Sequence, residues 1–160
     1  HNAANALAAV ALADAVGIPR AASVAALEHF PGLPHRAQVV AEAGGVRYVD
    51  DSKATNVGAA LATLAGLPGP LILIAGGDGK GQDFGPLAAP LAGRVKLALL
   101  IGRDARAVGS ALAGVCPVRY LATLEEAVAE AHAASAAGDT VILSPACASL
   151  DMFRDYAHRG

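Results

Sequence analysis

The chain has no tryptophan, three tyrosines, three phenylalanines and one methionine in 160 residues. A core built from it must therefore be made of leucine, valine, isoleucine and alanine. Charge is equally sparse, at 16% of residues and a net −2, against a hydrophobic share of 54%. Disorder needs low hydrophobicity with high net charge, so this composition belongs to a folded chain. No cluster of Lys and Arg exists, which argues against a nucleic-acid surface. There are three lysines, Lys53, Lys80 and Lys96, and the spacing puts two of them in polar loops. Arginine is expected to supply most of the surface cations.

Cys116 and Cys147 form no metal-ligand pattern, and nothing in their spacing requires a disulfide. No signal peptide is visible, so a cytoplasmic location is expected. The longest uncharged stretch, 57–77, is broken by Pro68-Gly69-Pro70 and reads as helix, turn and strand instead of a membrane span. The absence of a His, Cys and carboxylate cluster argues against a zinc site. The chain starts with His1 inside a helical pattern and ends just after another, and both ends are expected to be cuts in a longer protein.

What is present divides at Phe30-Pro31-Gly32-Leu33-Pro34, which forbids regular structure and marks a domain boundary. Before it, residues 1–16 and 19–28 read as alanine-rich helices, with Gly17 as a stop. After it, 37–43 and 46–50 read as strands joined by Gly44-Gly45, a two-residue hairpin signal. Strands at 71–75, 95–101, 118–121 and 140–143 then alternate with helices at 84–91, 103–112, 123–137 and 150–157. Pro86 fits a first helical turn, and Thr123 with Glu126 forms a capping box. Such alternation predicts an α/β fold, a mostly parallel sheet covered on both faces with an antiparallel hairpin at one edge.

Ligands of open α/β sheets bind beyond the carboxyl ends of strands, and three post-strand loops here are too polar for simple turns. The first, Asp50-Asp51-Ser52-Lys53-Ala54-Thr55-Asn56, packs two carboxylates, an ammonium, two hydroxyls and an amide into seven residues. A strand-to-helix turn needs one capping residue, a role Asn56 can fill alone. The second runs from Gly76 to Asp83 through Lys80. It is not a Walker A loop, because Ile74 stands where the first glycine belongs and Gly81 follows the lysine. It reads either as a flexible connector or as an anion cradle. The third, Ser144-Pro145-Ala146-Cys147-Ala148-Ser149, places small residues before a helix start, which suits either capping or anion binding. Three such loops on one sheet edge point to a small anionic ligand.

Two further places stand near the boundary. Asn2 and Asn5 share a helix face and could meet a purine or simply face water. Arg36 fits either a transferring phosphoryl group or an interdomain salt bridge. His29, His132 and His158 read as surface or packing residues.

Taken together, His1-Asn2-Ala3-Ala4-Asn5, Gly32-Leu33-Pro34-His35-Arg36, Asp51 to Asn56, Gly76-Gly77-Asp78-Gly79-Lys80 and Ser144 to Asp151 closely resemble, in order and spacing, the Mur ligase family of peptidoglycan synthesis. The resemblance spans essentially the whole chain. The loops after Asp51 and after Ser144 resemble the D-glutamate-adding branch in particular. The resemblance implies that residues 1–33 are the last helices of a central ATPase domain. It implies that 34–160 are a Rossmann-like, amino-acid-binding C-terminal domain lacking its last helix. The implied reaction is ATP-dependent amide formation between D-glutamate and UDP-N-acetylmuramoyl-L-alanine through an acyl phosphate. Mg2+ ligands and the phosphate loop are implied to lie upstream, so this chain alone is expected to be inactive.

Carried over residue by residue, the resemblance puts Asn2 and Asn5 on adenine, Arg36 on the phosphates, Asp51 on the ribose, and Lys53 beside the nucleotide. Arg36 and Lys53 are the implied catalytic cations. Thr55, Lys80, Ser149, Leu150 and Tyr156 are implied to hold D-glutamate, Tyr156 standing where a phenylalanine is frequent. No metal ligand is assigned to this chain. Neither nucleic acid nor membrane insertion is expected, and a monomer is. Two alternatives remain at this level: a related ligase taking another amino acid, and a non-catalytic binding domain of the same fold.

Overall fold

The computed structural model describes residues 2–160, without the side chain of Asn2. Contacts divide the chain into two units, His1–Leu33 and Pro34–Gly160. The first unit is a pair of helices, α1 (Asn2–Ala15) and α2 (Arg20–Glu28), joined through Gly17 at φ +82°. Arg20 Nε donates to the Asp14 carboxylate at 3.1 Å across the turn. The pair has little interior of its own: α2 buries no residue, and Leu7 and Leu12 of α1 are exposed.

The second unit is a six-stranded sheet in the order β1-β2-β6-β3-β4-β5. Its strands are β1 (Gln38–Ala43), β2 (Val46–Asp50), β3 (Leu71–Gly76), β4 (Val95–Ile101), β5 (Val118–Tyr120) and β6 (Thr140–Leu143). β1 and β2 are antiparallel, and every other pairing is parallel. The hairpin turn works because Gly44 and Gly45 both take positive φ, +59° and +78°, the geometry that matches strand twist in a two-residue turn. β1 is fully solvated and breaks register between Val39 and Ala41, as edge strands commonly do.

The buried strands sort their side chains by the two-residue period. Leu71, Leu73, Ala98, Leu100 and Ile142 face one layer, formed by α3 (Val57–Ala65), the 3-10 turn Gly85–Leu87 with α4 (Ala88–Leu91), and α5 (Ala105–Ala111). Ile72, Ile74, Leu97, Leu99, Ile101 and Val141 face the other, formed by α6 (Leu124–Ala134) through Ala127 and Ala131. Leucines and valines of the strands and helices fill the first layer, alanines of α6 close the second, and Phe84 is the single buried aromatic of the first core cluster. Thr123 and Glu126 form the reciprocal capping box that opens α6. Among the described residues, no helix is long and apolar enough to cross a membrane.

One expected element differs. The pattern at 150–157 predicts a closing helix, but the helix there is a single short turn, α7 (Tyr156–Arg159). Asp155 is fully extended (φ −162°, ψ 178°), and its carboxylate caps α7 by accepting from His158 N. The stretch just after Ser149 is one isolated turn, in which Met152 N and Phe153 N donate to Ser149 O. Asp155 therefore splits the periodic segment in two, and the anion-facing helix start expected after Ser149 does not exist.

Leu100 lies in the inner strand β4 with no exposed surface. Leu100→Ala should destabilise the Pro34–Gly160 unit by about 2–5 kcal/mol, as other buried leucine truncations do. The shift in urea midpoint measures it.

Candidate functional site

Because β2, β6 and β3 are consecutive in the sheet and mutually parallel, the three polar loops leave the same edge side by side. The next strand, β4, contributes Gly102-Arg103-Asp104 beside them. Gly76 ends β3 at φ +110°, and a Cβ there would lie 2.1 Å from Ile101 O, so no side chain fits where the glycine-rich loop departs.

The Ser144–Ser149 loop is held carbonyl by carbonyl. Gly76 N donates to Pro145 O at 2.9 Å. Gln82 Nε2 donates to Ala146 O at 2.7 Å. Arg159 Nη1 donates to Cys147 O at 3.1 Å. Asp78 N donates to Ala148 O at 3.0 Å, and Ala148 N returns a bond to Asp78 O. Four successive acceptors are thus consumed by neighbouring segments. The N–H groups of Ser149 and Leu150 that follow donate to no protein acceptor among the described residues. Ser149 is itself buried, whereas the Leu150 side chain is 67% exposed.

Arg159 is 3% exposed and crosses the seam between the first and third loops. Besides Cys147 O, it donates through Nε to Ser52 Oγ at 3.0 Å and through Nη2 to Ser52 O at 2.8 Å. Ser52 Oγ passes its own proton to Tyr156 O at 2.7 Å. Burial lowers the guanidinium to about 10, so it remains a cation at neutral pH. The neighbouring Cys147 thiol is pushed up to about 12, by burial first and then by Asp104. It is therefore a packed, unreactive group.

Asp51, implied to reach a ribose, is 4% exposed with both oxygens engaged. Ala37 N donates to one at 3.1 Å and Ser144 Oγ to the other at 2.8 Å. Burial raises its pKa, against the opposing pull of its hydrogen bonds to Ser144, Thr63 and Ala37. Asp50 turns the other way: its Oδ2 lies 2.6 Å from His35 Nδ1, and its Oδ1 accepts Ser52 N at 2.8 Å. Lys53 is half-buried, with its ammonium 3.9 Å from the centroid of the Tyr156 ring. The His35 ring meets the same tyrosine edge-on at 6.0 Å. Lys53 and Tyr156, implied to serve different ligands, are thus in direct contact.

Asn56 caps α3 by accepting Ala59 N at 2.9 Å, while Thr55, just before it, is half-exposed. Lys80 sits at the tip of the glycine-rich loop with φ +53° and a solvent-exposed side chain. Its backbone N–H donates to Asp78 Oδ1 at 3.0 Å. Arg36 is exposed beside the strained pair His35 and Ala37, at φ +61° and +50°. Asn5 is exposed on α1 in the other unit, and the side chain of Asn2 lies outside the described residues. Among the described residues, no three His, Cys, Asp or Glu side chains are placed to share a metal ion.

Three participants escape a reading of the sequence. Arg159 carries no local motif, and arginines were expected at the surface. His35 is legible only as a neighbour of Arg36. Gln82 lies within the second loop, but nothing in the sequence says that its amide reaches the other two.

The geometry can be compared with known proteins. Residues 35–147 match the family model "Mur ligase, glutamate ligase domain". The chain is 60% identical over 99% of its length to UDP-N-acetylmuramoylalanine–D-glutamate ligase of Burkholderia mallei (strain SAVP1), and covers 32% of that protein. It therefore spans about a third of the length of the curated relatives it matches. Among solved structures, the murein peptide ligase mpl of Psychrobacter arcticus 273-4 matches with a TM-score of 0.62 and 20% identity, over 92% of this chain and 34% of that one. FolC of E. coli in complex with ADP matches with a TM-score of 0.55 and 24% identity, over 71% and 29% of the two chains. These two likenesses concern the fold.

Arg159→Met keeps much of the volume and removes all three bonds, leaving Ser52 O and Cys147 O buried without their partner. At about 1–3 kcal/mol per unpaired carbonyl, the loss of stability should be roughly 2–6 kcal/mol. Thermal or urea unfolding of the variant beside the parent measures it, and a loss under 1 kcal/mol (about the size of one ordinary surface effect) would remove Arg159 from this role.

Proposed function

The chain belongs to the Mur ligase family, through its glutamate ligase domain, and on that premise we propose that it carries the amino-acid half of an enzyme joining D-glutamate to UDP-N-acetylmuramoyl-L-alanine at the expense of ATP. The observation that carries the proposal is the convergence of three polar loops on adjacent parallel strands, with the carbonyls of Pro145 to Ala148 all held and the N–H groups of Ser149 and Leu150 left over. The 60% identity to a D-glutamate ligase supports the choice of amino acid.

The proposed chemistry proceeds through an acyl phosphate. ATP phosphorylates the terminal alanine carboxylate, and the D-glutamate amine then displaces phosphate to form the amide. In this scheme the phosphate loop and the Mg2+ ligands belong to a part of the protein outside these residues. The helices at 1–33 belong to the ATP-binding domain, where Asn2 and Asn5 meet adenine. The exposed leucines of α1 support that assignment, since such a pair gains stability by packing on further apolar surface.

Within 34–160, Arg36 and Lys53 supply positive charge to the phosphates as charge develops on them. Asp51 serves the nucleotide side by fixing Ala37, the residue after Arg36, and Ser144. A ribose contact then requires the hydroxyl to reach a carboxylate that is 4% exposed. D-glutamate has two carboxylates and needs a cation, hydroxyls and N–H donors at fixed places. Lys80, Thr55, Ser149 and the Leu150 N–H are the proposed set, with Tyr156 closing one side. Holding the amine on the acyl carbon removes the entropic cost of a bimolecular step. Use of ATP and a nucleotide sugar places the reaction in the cytoplasm, and a monomer suffices for it.

Charge-assisted hydrogen bonds contribute about 1.5–3 kcal/mol each. In the enzyme of the relatives' full length, Lys80→Ala should therefore raise KM for D-glutamate about 10- to 150-fold. The KM for ATP should stay near the parent value. Initial-rate kinetics with each substrate varied in turn decide it; an unchanged D-glutamate KM would refute the assignment of Lys80.

A further inference from the structure

One side chain joins the second loop both to the third and to the helix start that follows the first. Gln82 belongs to the glycine-rich loop, anchored there by its own N–H to Gly79 O at 3.1 Å. Its Oε1 accepts Val57 N, the first N–H of α3, at 2.9 Å. Its Nε2 donates to Ala146 O at 2.7 Å. Val57 N can only donate and Ala146 O can only accept, so one orientation of the amide satisfies both. Ala146 is buried and holds φ +55°, a conformation that costs an alanine about 1–2 kcal/mol. The bond from Gln82 is the one hydrogen bond to its carbonyl among the described residues.

The placement of these anchors matters. Val57 is two residues after Thr55, Ala146 is three before Ser149, and Gln82 is two after Lys80. The amide therefore bridges the three stretches that carry the proposed D-glutamate ligands. We propose that Gln82 is the positioning residue of the amino-acid pocket, setting the distance between Thr55, Lys80 and Ser149 without touching the substrate. The inference rests on the D-glutamate reading above. It adds a specific claim: alignment of the second loop with the third depends on the Nε2 donor, whereas the Oε1 acceptor ties the second loop to the start of α3, two residues beyond Thr55.

The two atoms can be separated. Gln82→Glu keeps an acceptor for Val57 N at a helix start, where negative charge is tolerated. It replaces the donor to Ala146 O with a carboxylate oxygen facing a carbonyl. In the full-length enzyme, Gln82→Glu should raise KM for D-glutamate about tenfold, the equivalent of one lost hydrogen bond. The KM for ATP and kcat at saturating D-glutamate should stay near the parent's, while the unpaired Ala146 carbonyl lowers the melting temperature. Lowering the pH protonates the carboxyl and restores a donor, so the KM ratio of variant to parent should narrow. Gln82→Ala removes both bonds and should lower the melting temperature as well.

A Gln82→Glu enzyme with the parent's D-glutamate KM would overturn the inference while leaving the ligase reading intact. So would losses in kcat and in the KM for ATP as large as that in the D-glutamate KM, which would mark a merely structural residue. A parent enzyme that forms no amide with D-glutamate would overturn both.

Discussion

A buried arginine ties the ends of β2 and β6 together, and the rest of the site depends on that tie. Arg159 spends its guanidinium on two backbone carbonyls and one hydroxyl, all from the loops that follow those strands. A cation is costly to bury, and burial lowers this one to about 10. The cost is met by geometry, since the planar fork reaches Ser52 and Cys147 at once. Ser52 extends the tie by donating to Tyr156 O, so the helix that carries Arg159 is fixed by the loop it clamps.

From that clamp the other constraints follow. Hydrogen bonds from the glycine-rich loop and from Arg159 hold the carbonyls of Pro145 to Ala148, and the next two N–H groups have no protein acceptor among the described residues. Asp51 joins Ser144 to Ala37 and so couples the third loop to the segment that bears Arg36. Asp50 holds His35, whose ring meets Tyr156, whose face meets Lys53. The residues proposed for the nucleotide and those proposed for the amino acid are thus linked through packed side chains, not through one flexible loop. Rigid supports of this kind keep reacting groups aligned, which is where the proposed acyl-phosphate chemistry would gain its rate.

Much of this was legible in the residues. Apolar runs such as Leu71 to Ala75 announced buried parallel strands, Gly44-Gly45 announced the hairpin, and Asn56 and Thr123 announced helix starts. The three loops stood out because their polarity exceeded what turns require. Strand order was not legible, and with it the fact that β6 lies between β2 and β3. The closing helix was misjudged because apolar spacing from Leu150 to Ala157 carries no sign that Asp155 would adopt an extended cap. Arg159 and Gln82 were invisible for a related reason: each acts across more than sixty residues of sequence. Nothing local distinguishes a bridging side chain from a surface one. Asp51 stands out in the sequence as a carboxylate for a ribose, but its burial against Ser144 is a tertiary fact.

The central claim is that these loops form a pocket for D-glutamate. The direct test is amide formation by the full-length enzyme from UDP-N-acetylmuramoyl-L-alanine and ATP, with D-glutamate, L-glutamate or diaminopimelate as the amine. The account predicts product with D-glutamate and little with the other two. Equal rates with L-glutamate, or a preference for diaminopimelate, would contradict it.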